Sequence, residues 1–333
     1  MKHFKIAVIY LFALSLFVSV AEAKDYTVAL ISYLGHSPFI IADEKGFFAK
    51  ENINLKAKYY HTVDEWFKAF IHDRVDISIF WNSSHIELLL SGKKSVSLGV
   101  ISYEKQDHRL IAKREITPHD LKTQKIGYPR ELFGYRWFLW NYLKPHNIKV
   151  SETHPITMSE EDLLKNFVVG RLKIVMLLGD YADSAVKEGN GVILTTSIPE
   201  ATLNSVVMSE ENYKATPKDD LKKMHRALIR ATEWLSDPAN KAEYFSIIKG
   251  KFVSNPNFSN VQDMESFVQK AMGRMSLIDK KDLYEYNSTF LKTSYDTMKN
   301  IGTEIAMPYH FAYSEIVDTS AMLEVLQEMG LGM

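Results

Sequence analysis

The chain has 333 residues, no cysteine and a formal net charge of -1, with 40 basic and 41 acidic side chains. The absence of cysteine excludes disulfides, thiolate-ligated zinc, iron–sulfur clusters and a thiol nucleophile. The balanced charge, without a basic stripe, argues against a nucleic-acid partner.

Residues 1–23 have the three-part layout of a secretory signal peptide. Lys2 and Lys5 accompany the start of an apolar run, Ile6 to Val18, and Ala21–Ala23 is a small-residue cleavage site. The run of about 13 residues is shorter than the roughly 20 that a membrane-spanning helix needs. We therefore expect export, cleavage near Ala23 and a soluble chain, the alternative being an uncleaved membrane anchor. A lipid anchor would require a cysteine after the leader.

Strand-like and helix-like segments alternate over residues 25–108. The strand-like segments are Thr27–Ile31, Leu55–Tyr60, Val75–Phe80 and Val96–Ile101, and the helix-like segments are Ile40–Lys50, Val63–His72 and the stretch through Ile86–Leu90. Such alternation predicts βαβ units in a largely parallel sheet.

A second block of the same kind covers residues 109–199. Its strand-like segments are Leu110–Ala112, Lys125–Tyr128 and Ile174–Leu178, and Leu132–Leu143 is an aromatic-rich helix. Ser159, with Asp162 three residues later, predicts a variant capping box, and Gly170 is expected to end the helix that follows it.

After residue 200 the pattern becomes helical. Val206–Met208 is the last clear strand, and Thr216-Pro217 begins a helix that runs to Asp237-Pro238. Helical segments follow at Met264–Met275, Leu283–Met298 and Ser320–Met329. Because no third sheet pattern is present, we expect this tail to pack back on the first block.

Four segments, in order along the chain, resemble one protein family. Gly35–Ile53 (GHSPFIIADEKGFFAKENI) contains the pattern A-x-x-x-G-F/Y-F, and Phe70–Ile79 contains a Val-Asp-Ile strand. Asp120–Gly127 (DLKTQKIG) resembles D-L-K-x-K-x-I-G, and Gly170–Ile174 (GRLKI) resembles G-R-x-D-A, with Lys173 where Asp is usual. Together they resemble periplasmic solute-binding proteins of ABC transporters, of the sulfonate, nitrate and thiamine-pyrimidine-precursor type.

The resemblance implies an α/β, type II periplasmic-binding-protein fold. Two lobes with mainly parallel sheets would be joined by two crossing strands, near Ile101–His108 and Leu194–Ser197, with a cleft between them. Residues 24–108 and 200–333 would form lobe one, including the C-terminal helices, and residues 109–199 lobe two. The family favours a monomer, and no cofactor or metal is expected.

The loops that follow the strands supply the candidate ligand residues, because strand ends converge on the cleft. In the first lobe they are Tyr33, His36, Ser37, Phe39, Trp81, Asn82, Ser83 and Ser84, and in the second they are Tyr128, Arg130, Glu131, Asp180 and Tyr181.

Each candidate has a structural alternative. The segment Trp81–Ser84 offers a ring, an amide and hydroxyls at a helix start, where free N–H groups favour acceptors; alternatively a serine only caps the helix and Trp81 is core. Asp180 would pair with an amino group or cap a helix. Arg130 would clamp a carboxylate or sulfonate or only pair with Glu131 on the surface. His36 would bind ligand or be a satisfied loop histidine.

The ligand class follows from a departure from the family. Residues 130–136 (RELFGYR) stand where the family often has Gly-Ser-type residues that bind an anionic head. This difference favours a larger, ring-bearing ligand over a small inorganic anion. The aromatic candidates among the site residues would supply stacking faces, although each is individually more often packing.

Two other functions compete with solute binding. The first is catalysis. No G-x-S-x-G, phosphate-loop or H-E-x-x-H motif is present. A related enzyme of pyrimidine-precursor synthesis has a cysteine-rich motif, which this chain cannot have. The other competitor is a sensory protein that docks on a membrane receptor. We expect a non-catalytic protein that closes over a small molecule about its hinge and delivers it to an ABC permease.

Overall fold

The computed structural model describes residues 25–104, 108–129, 135–197, 202–259, 261–304 and 310–332; the predicted leader, residues 1–23, lies outside them. Within these residues the strands are β1 Asp25–Ile31, β2 Asn54–Tyr60, β3 Ile77–Trp81, β4 Ser95–Glu104, β5 His108–Lys113, β6 Lys125–Pro129, β7 His154–Met158, β8 Ile174–Leu178, β9 Gly191–Thr196, β10 Leu203–Ser209 and β11 Met275–Leu277.

The helices of the described residues fall between and after these strands. They are α1 Ser37–Glu44, α2 Phe47–Lys50, α3 Val63–Ile71, α4 Asn82–Leu90, α5 Tyr135–Leu143, α6 Glu160–Val168, α7 Gly179–Lys187, α8 Glu210–Ala215, α9 Lys218–Ser236, α10 Lys241–Val253, α11 Met264–Arg274, α12 Leu283–Glu285, α13 Leu291–Glu304, α14 Tyr313–Ile316 and α15 Ser320–Glu328. A π-helical segment, Tyr286–Phe290, joins α12 to α13.

The strands form two sheets. The first has the order β11-β4-β10-β3-β1-β2 and the second has the order β7-β6-β8-β5-β9. Only β2, β1 and β3 in the first sheet and β7, β6 and β8 in the second are mutually parallel; the other pairings are antiparallel. Both sheets are therefore mixed rather than mainly parallel.

The passages between the sheets explain part of this mixture. The chain leaves the first sheet after β4 and enters the second at β5, then leaves β9 and returns at β10. These four strands take part in the antiparallel pairings, whereas the parallel strands come from βα units. The passages lie at or next to the two predicted crossing positions, and the N–H of Ser197 donates to the carbonyl of His108 at 2.8 Å, which joins the end of β9 to the start of β5.

Local signals set the helix boundaries. Gly46 has a left-handed backbone (φ 64°) and splits the predicted Ile40–Lys50 helix into α1 and α2. Ser159 caps α6 as predicted, its hydroxyl accepting from the N–H of Asp162 at 3.2 Å. Pro217 immediately precedes α9, which ends at Ser236 before the Asp237-Pro238 pair.

The helical tail covers the first sheet. Helix α9 packs against α1 and α15, and α15 contacts β4. Asn287 of the π-helical segment accepts from the N–H of Val100 at 2.8 Å and donates to its carbonyl at 3.2 Å. None of the helices in the described ranges combines the length and hydropathy of a transmembrane span.

Candidate functional site

Two of the predicted site residues meet at the ends of neighbouring parallel strands. Trp81 is the last residue of β3, and Tyr33 follows β1 by two residues. The indole Nε1–H of Trp81 donates to the Tyr33 hydroxyl at 2.9 Å, and the rings contact edge to face at 5.8 Å. Both side chains are half-buried, so each keeps a surface that a ligand can approach.

Two rings carry this contact towards the second sheet. His108, the first residue of β5, has its ring 5.0 Å from that of Trp81 and 5.0 Å from that of Phe138 in α5. Helix α5 packs on β9 of the second sheet. We call Tyr33, Trp81, His108 and Phe138 the aromatic junction. Neither His108 nor Phe138 was among the predicted ligand residues, and the one available signal was the position of His108 at a predicted crossing.

The turn that carries Tyr33 fits closely against β10. A Cβ atom at Gly35 would lie 2.3 Å from the Tyr33 ring and 2.8 Å from Nδ2 of Asn204. The Ser102 hydroxyl donates to the Gly35 carbonyl at 2.8 Å. A side chain at this position would therefore displace the Tyr33 ring or the Asn204 amide.

His36, Ser37 and Phe39 lie inside the protein. The Ile31 N–H donates to Nδ1 of His36 at 3.2 Å, and burial lowers the pKa of His36 to about 3. The Ser37 hydroxyl hydrogen-bonds that of Tyr244 at 2.7 Å. The Phe39 ring packs 5.7 Å from that of Phe48. These contacts are with the protein itself, and a ligand role for the three residues stays a prediction.

Asn82, Ser83 and Ser84 form the buried first turn of α4. Trp81 is the N-cap of this helix and no side chain caps it, so the serines do not act as N-caps. Asn82 is held on both sides, since its Nδ2 donates to Ser294 at 2.8 Å and its Oδ1 accepts from Ser205 at 2.7 Å.

The second-sheet candidates are more dispersed. Tyr128, near the end of β6, stacks on Tyr135 at 4.0 Å. Asp180 and Tyr181 lie in the first turn of α7, whose N-cap is Leu178; Tyr181 is exposed. Arg130 and Glu131 fall outside the described residues.

Two electrostatic contacts link elements of the two sheets. Asp180 Oδ1 lies 3.8 Å from Nζ of Lys270 in α11, a helix that contacts β11 of the first sheet. Glu87 of α4 is within the field of Arg136 of α5, and burial nevertheless raises the pKa of Glu87 to about 7. Within the described residues, no group of three or more His, Asp or Glu side chains is arranged to hold a metal ion.

The sequence matches one protein family over most of its length. Residues 19–249 match the NMT1-like family. Among curated proteins, no sequence is significantly similar to this chain.

Solved structures share the fold at low sequence identity. The alkanesulfonate-binding protein SsuA of Xanthomonas axonopodis, bound to MOPS, has a TM-score of 0.63 and 11% identity, covering 90% of this chain and 99% of its own. The ligand-binding component of an ABC-type import system of Staphylococcus aureus, with zinc bound, has a TM-score of 0.63 and 13% identity, covering 91% and 99%. The periplasmic nitrate-binding protein NrtA of Synechocystis has a TM-score of 0.59 and 12% identity, covering 92% and 89%. The two mixed sheets are therefore arranged in the periplasmic-binding-protein fold, as the sequence predicted.

Proposed function

Because the chain belongs to the NMT1-like family, we propose that it is a periplasmic solute-binding protein that captures a small organic molecule and delivers it to an ABC permease. Residues 24–108 and 200–333 would form one lobe and residues 109–199 the other, and ligand would hold the lobes together. Export would depend on the predicted leader.

The aromatic junction is the observation that carries this proposal. Trp81 and Tyr33 stand at the carboxyl ends of parallel strands, the usual position of ligands in α/β sheets. His108 of β5 and Phe138 of α5, which follow the passage from the first sheet to the second, pack next to them. A ligand that contacts Trp81 therefore lies where the two sheets approach each other, and its binding energy can favour the closed arrangement.

The chemistry of the junction favours a ring-bearing ligand. Half-buried aromatic faces bind flat heteroaromatic molecules by stacking. Asp180 in α7 would add a partner for an amino group, which suits a pyrimidine-like metabolite. An organosulfonate is the second candidate, because two of the structures that share the fold are named for sulfonate and nitrate binding.

A thermal-shift screen of the chain from Lys24 onward tests the proposal. The ligands are pyrimidines, flavins, sulfonates, nitrate and amino acids. A ligand at about 100 times its dissociation constant should add roughly 2.7 kcal/mol to the free energy of unfolding and raise the melting temperature. Recovery of that ligand unchanged supports binding, whereas its consumption would show catalysis. A flat response to every class would count against the proposal.

A further inference from the structure

Asn204 lies behind the aromatic junction, at the start of β10. The strand register pairs it with Trp81 of β3 and with Ser102 of β4. The residue is 1% exposed, and its side-chain amide lies against the turn at Gly35. Asn204 therefore touches the same turn that carries Tyr33.

The amide nitrogen of Asn204 is buried and has no hydrogen-bond partner anywhere in the described chain. Leaving a buried donor unpaired costs about 1–3 kcal/mol, and nearly all buried polar groups in folded proteins are paired. Neither of the hydroxyls bonded at this turn accepts from this nitrogen: that of Tyr33 accepts from Trp81, and that of Ser102 donates to Gly35. An acceptor from outside the chain would satisfy this donor.

We infer that Nδ2 of Asn204 donates to an acceptor atom of the bound solute, next to Trp81 and Tyr33. This inference rests on the proposed solute-binding function and adds a residue that decides which solutes fit. An ordered water is the other acceptor that would fill the position.

The charge of the surroundings indicates the kind of acceptor. Asn204, Ser102, Tyr33 and Trp81 carry no formal charge, and an anion buried among neutral groups loses its hydration without a compensating partner. Burying a carbonyl oxygen or a ring nitrogen of a neutral heteroaromatic molecule costs much less hydration free energy. The position therefore selects a neutral heteroaromatic acceptor.

The test is Asn204→Asp, which keeps the side-chain volume and replaces the donor by an acceptor. Binding of uracil, 4-aminopyrimidine and nicotinamide is measured by titration calorimetry. Ser97→Ala is the matched control, because the Ser97 hydroxyl is also buried without a partner in the described chain but belongs to a part of β4 paired with Val207. We expect at least about a tenfold loss of affinity for Asn204→Asp and less than about a twofold change for Ser97→Ala.

The outcomes separate the inference from the proposed function. If the unmodified chain binds a probe and Asn204→Asp binds it equally well or more tightly, a water fills the position and only the inference is overturned. If the unmodified chain binds none of the probes, the neutral heteroaromatic class is wrong and the inference falls with it. Should Asn204→Asp not fold, judged by circular dichroism, Asn204→Ala removes the donor without adding charge and is held to the same expectation.

Discussion

Trp81 is the side chain that joins the two sides of the aromatic junction. It donates to Tyr33 and contacts the ring of His108. We expect Trp81→Ala to weaken binding of a solute found in the screen by more than about tenfold, equivalent to about 1.4 kcal/mol, because stacking area is lost. Titration calorimetry measures the change.

Trp234→Ala is the control for that substitution. Trp234 is also half-buried, but it lies in α9, where Lys45 packs over its ring at 5.1 Å. Its removal should lower stability without changing affinity. Unchanged affinity in a folded Trp81→Ala protein would remove Trp81 from the site.

Buried histidines give the protein a predicted acid sensitivity. Burial lowers the pKa of His85 and that of His225 to about 4 each, from 6.5. A folded-state pKa below the unfolded value means that the neutral ring stabilises the fold fully above about pH 6.5, and that this contribution is lost as the pH falls towards 4. Glu87 acts oppositely, because burial raises its pKa from 4.5 to about 7: the stability that its neutral form contributes is fully present below about pH 4.5 and is lost as the pH rises to about 7.

His225→Leu isolates one histidine from these opposing effects. Both ring nitrogens of His225 are buried without hydrogen-bond partners in the described chain, so leucine sacrifices no hydrogen bond. When the pH falls from about 7.5 to about 5, the free energy of unfolding of the unmodified chain should fall by about 2 kcal/mol more than that of the variant. Urea unfolding at the two pH values measures the difference, and an equal pH dependence in both proteins would contradict it.

The sequence predicted that Tyr33 and Trp81 lie at the carboxyl ends of strands in βα units, where ligands usually bind, and the structure has them at those ends; their contact with a ligand stays a prediction. The same rule could not locate Asn204. It lies on β10, which runs antiparallel to β3, so the start of the strand is the end that reaches this edge. His108 and Phe138 were missed because their contact depends on how the two sheets approach each other.

At the scale of elements, α9 is clamped to its neighbours by charged side chains. Glu51, which follows α2, is 9% exposed and accepts from Arg226 at 3.0 Å and from Arg230. Arg226 also donates to Glu328 of α15 at 2.7 Å. One carboxylate thus holds two guanidinium groups, and this network joins α2, α9 and the last helix.

Glu51→Gln should lower the free energy of unfolding by about 2 kcal/mol, because two partly buried cations lose their shared partner. The matched control is Glu243→Gln. Glu243 is half exposed and pairs with Lys45 at 2.8 Å, and its loss should cost less than about 1 kcal/mol. Urea unfolding compares the two variants, and equal losses would show that the clamp contributes no more than a surface pair.

Central strands were predictable from the sequence, as was the edge strand β2, whereas the edge strands β7 and β11 were not. The buried strands β1, β3 and β8 are short apolar runs, and their segments were identified from sequence. β7 and β11 were missed, and both lie at sheet edges. β7 is partly exposed along its length, without a continuous apolar run, and β11 has only three residues, which is too short a segment to reveal a strand period.

At the scale of the whole molecule, the prediction is that ligand favours the arrangement in which α7 and α11 meet. Asp180 and Lys270 form an ion pair at 3.8 Å between these helices, and both side chains are substantially exposed. An exposed pair of this kind contributes less than about 1 kcal/mol. Under the proposed hinge closure, this pair would report the closed arrangement without holding it, and the solute would supply the difference in free energy.

The absence of native cysteine allows this closure to be measured by crosslinking. In an Asp180→Cys/Lys270→Cys variant, reaction with a short bismaleimide should be at least about threefold faster with saturating solute, because ligand raises the closed population. The affinity of Asp180→Cys alone is measured first, since Asp180 is a proposed ligand residue. The control is a Lys45→Cys/Glu243→Cys variant, because these two residues pair with each other within the proposed first lobe. Its crosslinking rate should be the same with and without solute. If the first pair is equally insensitive to solute, binding does not bring α7 and α11 together, and hinge closure is not how this protein holds its ligand.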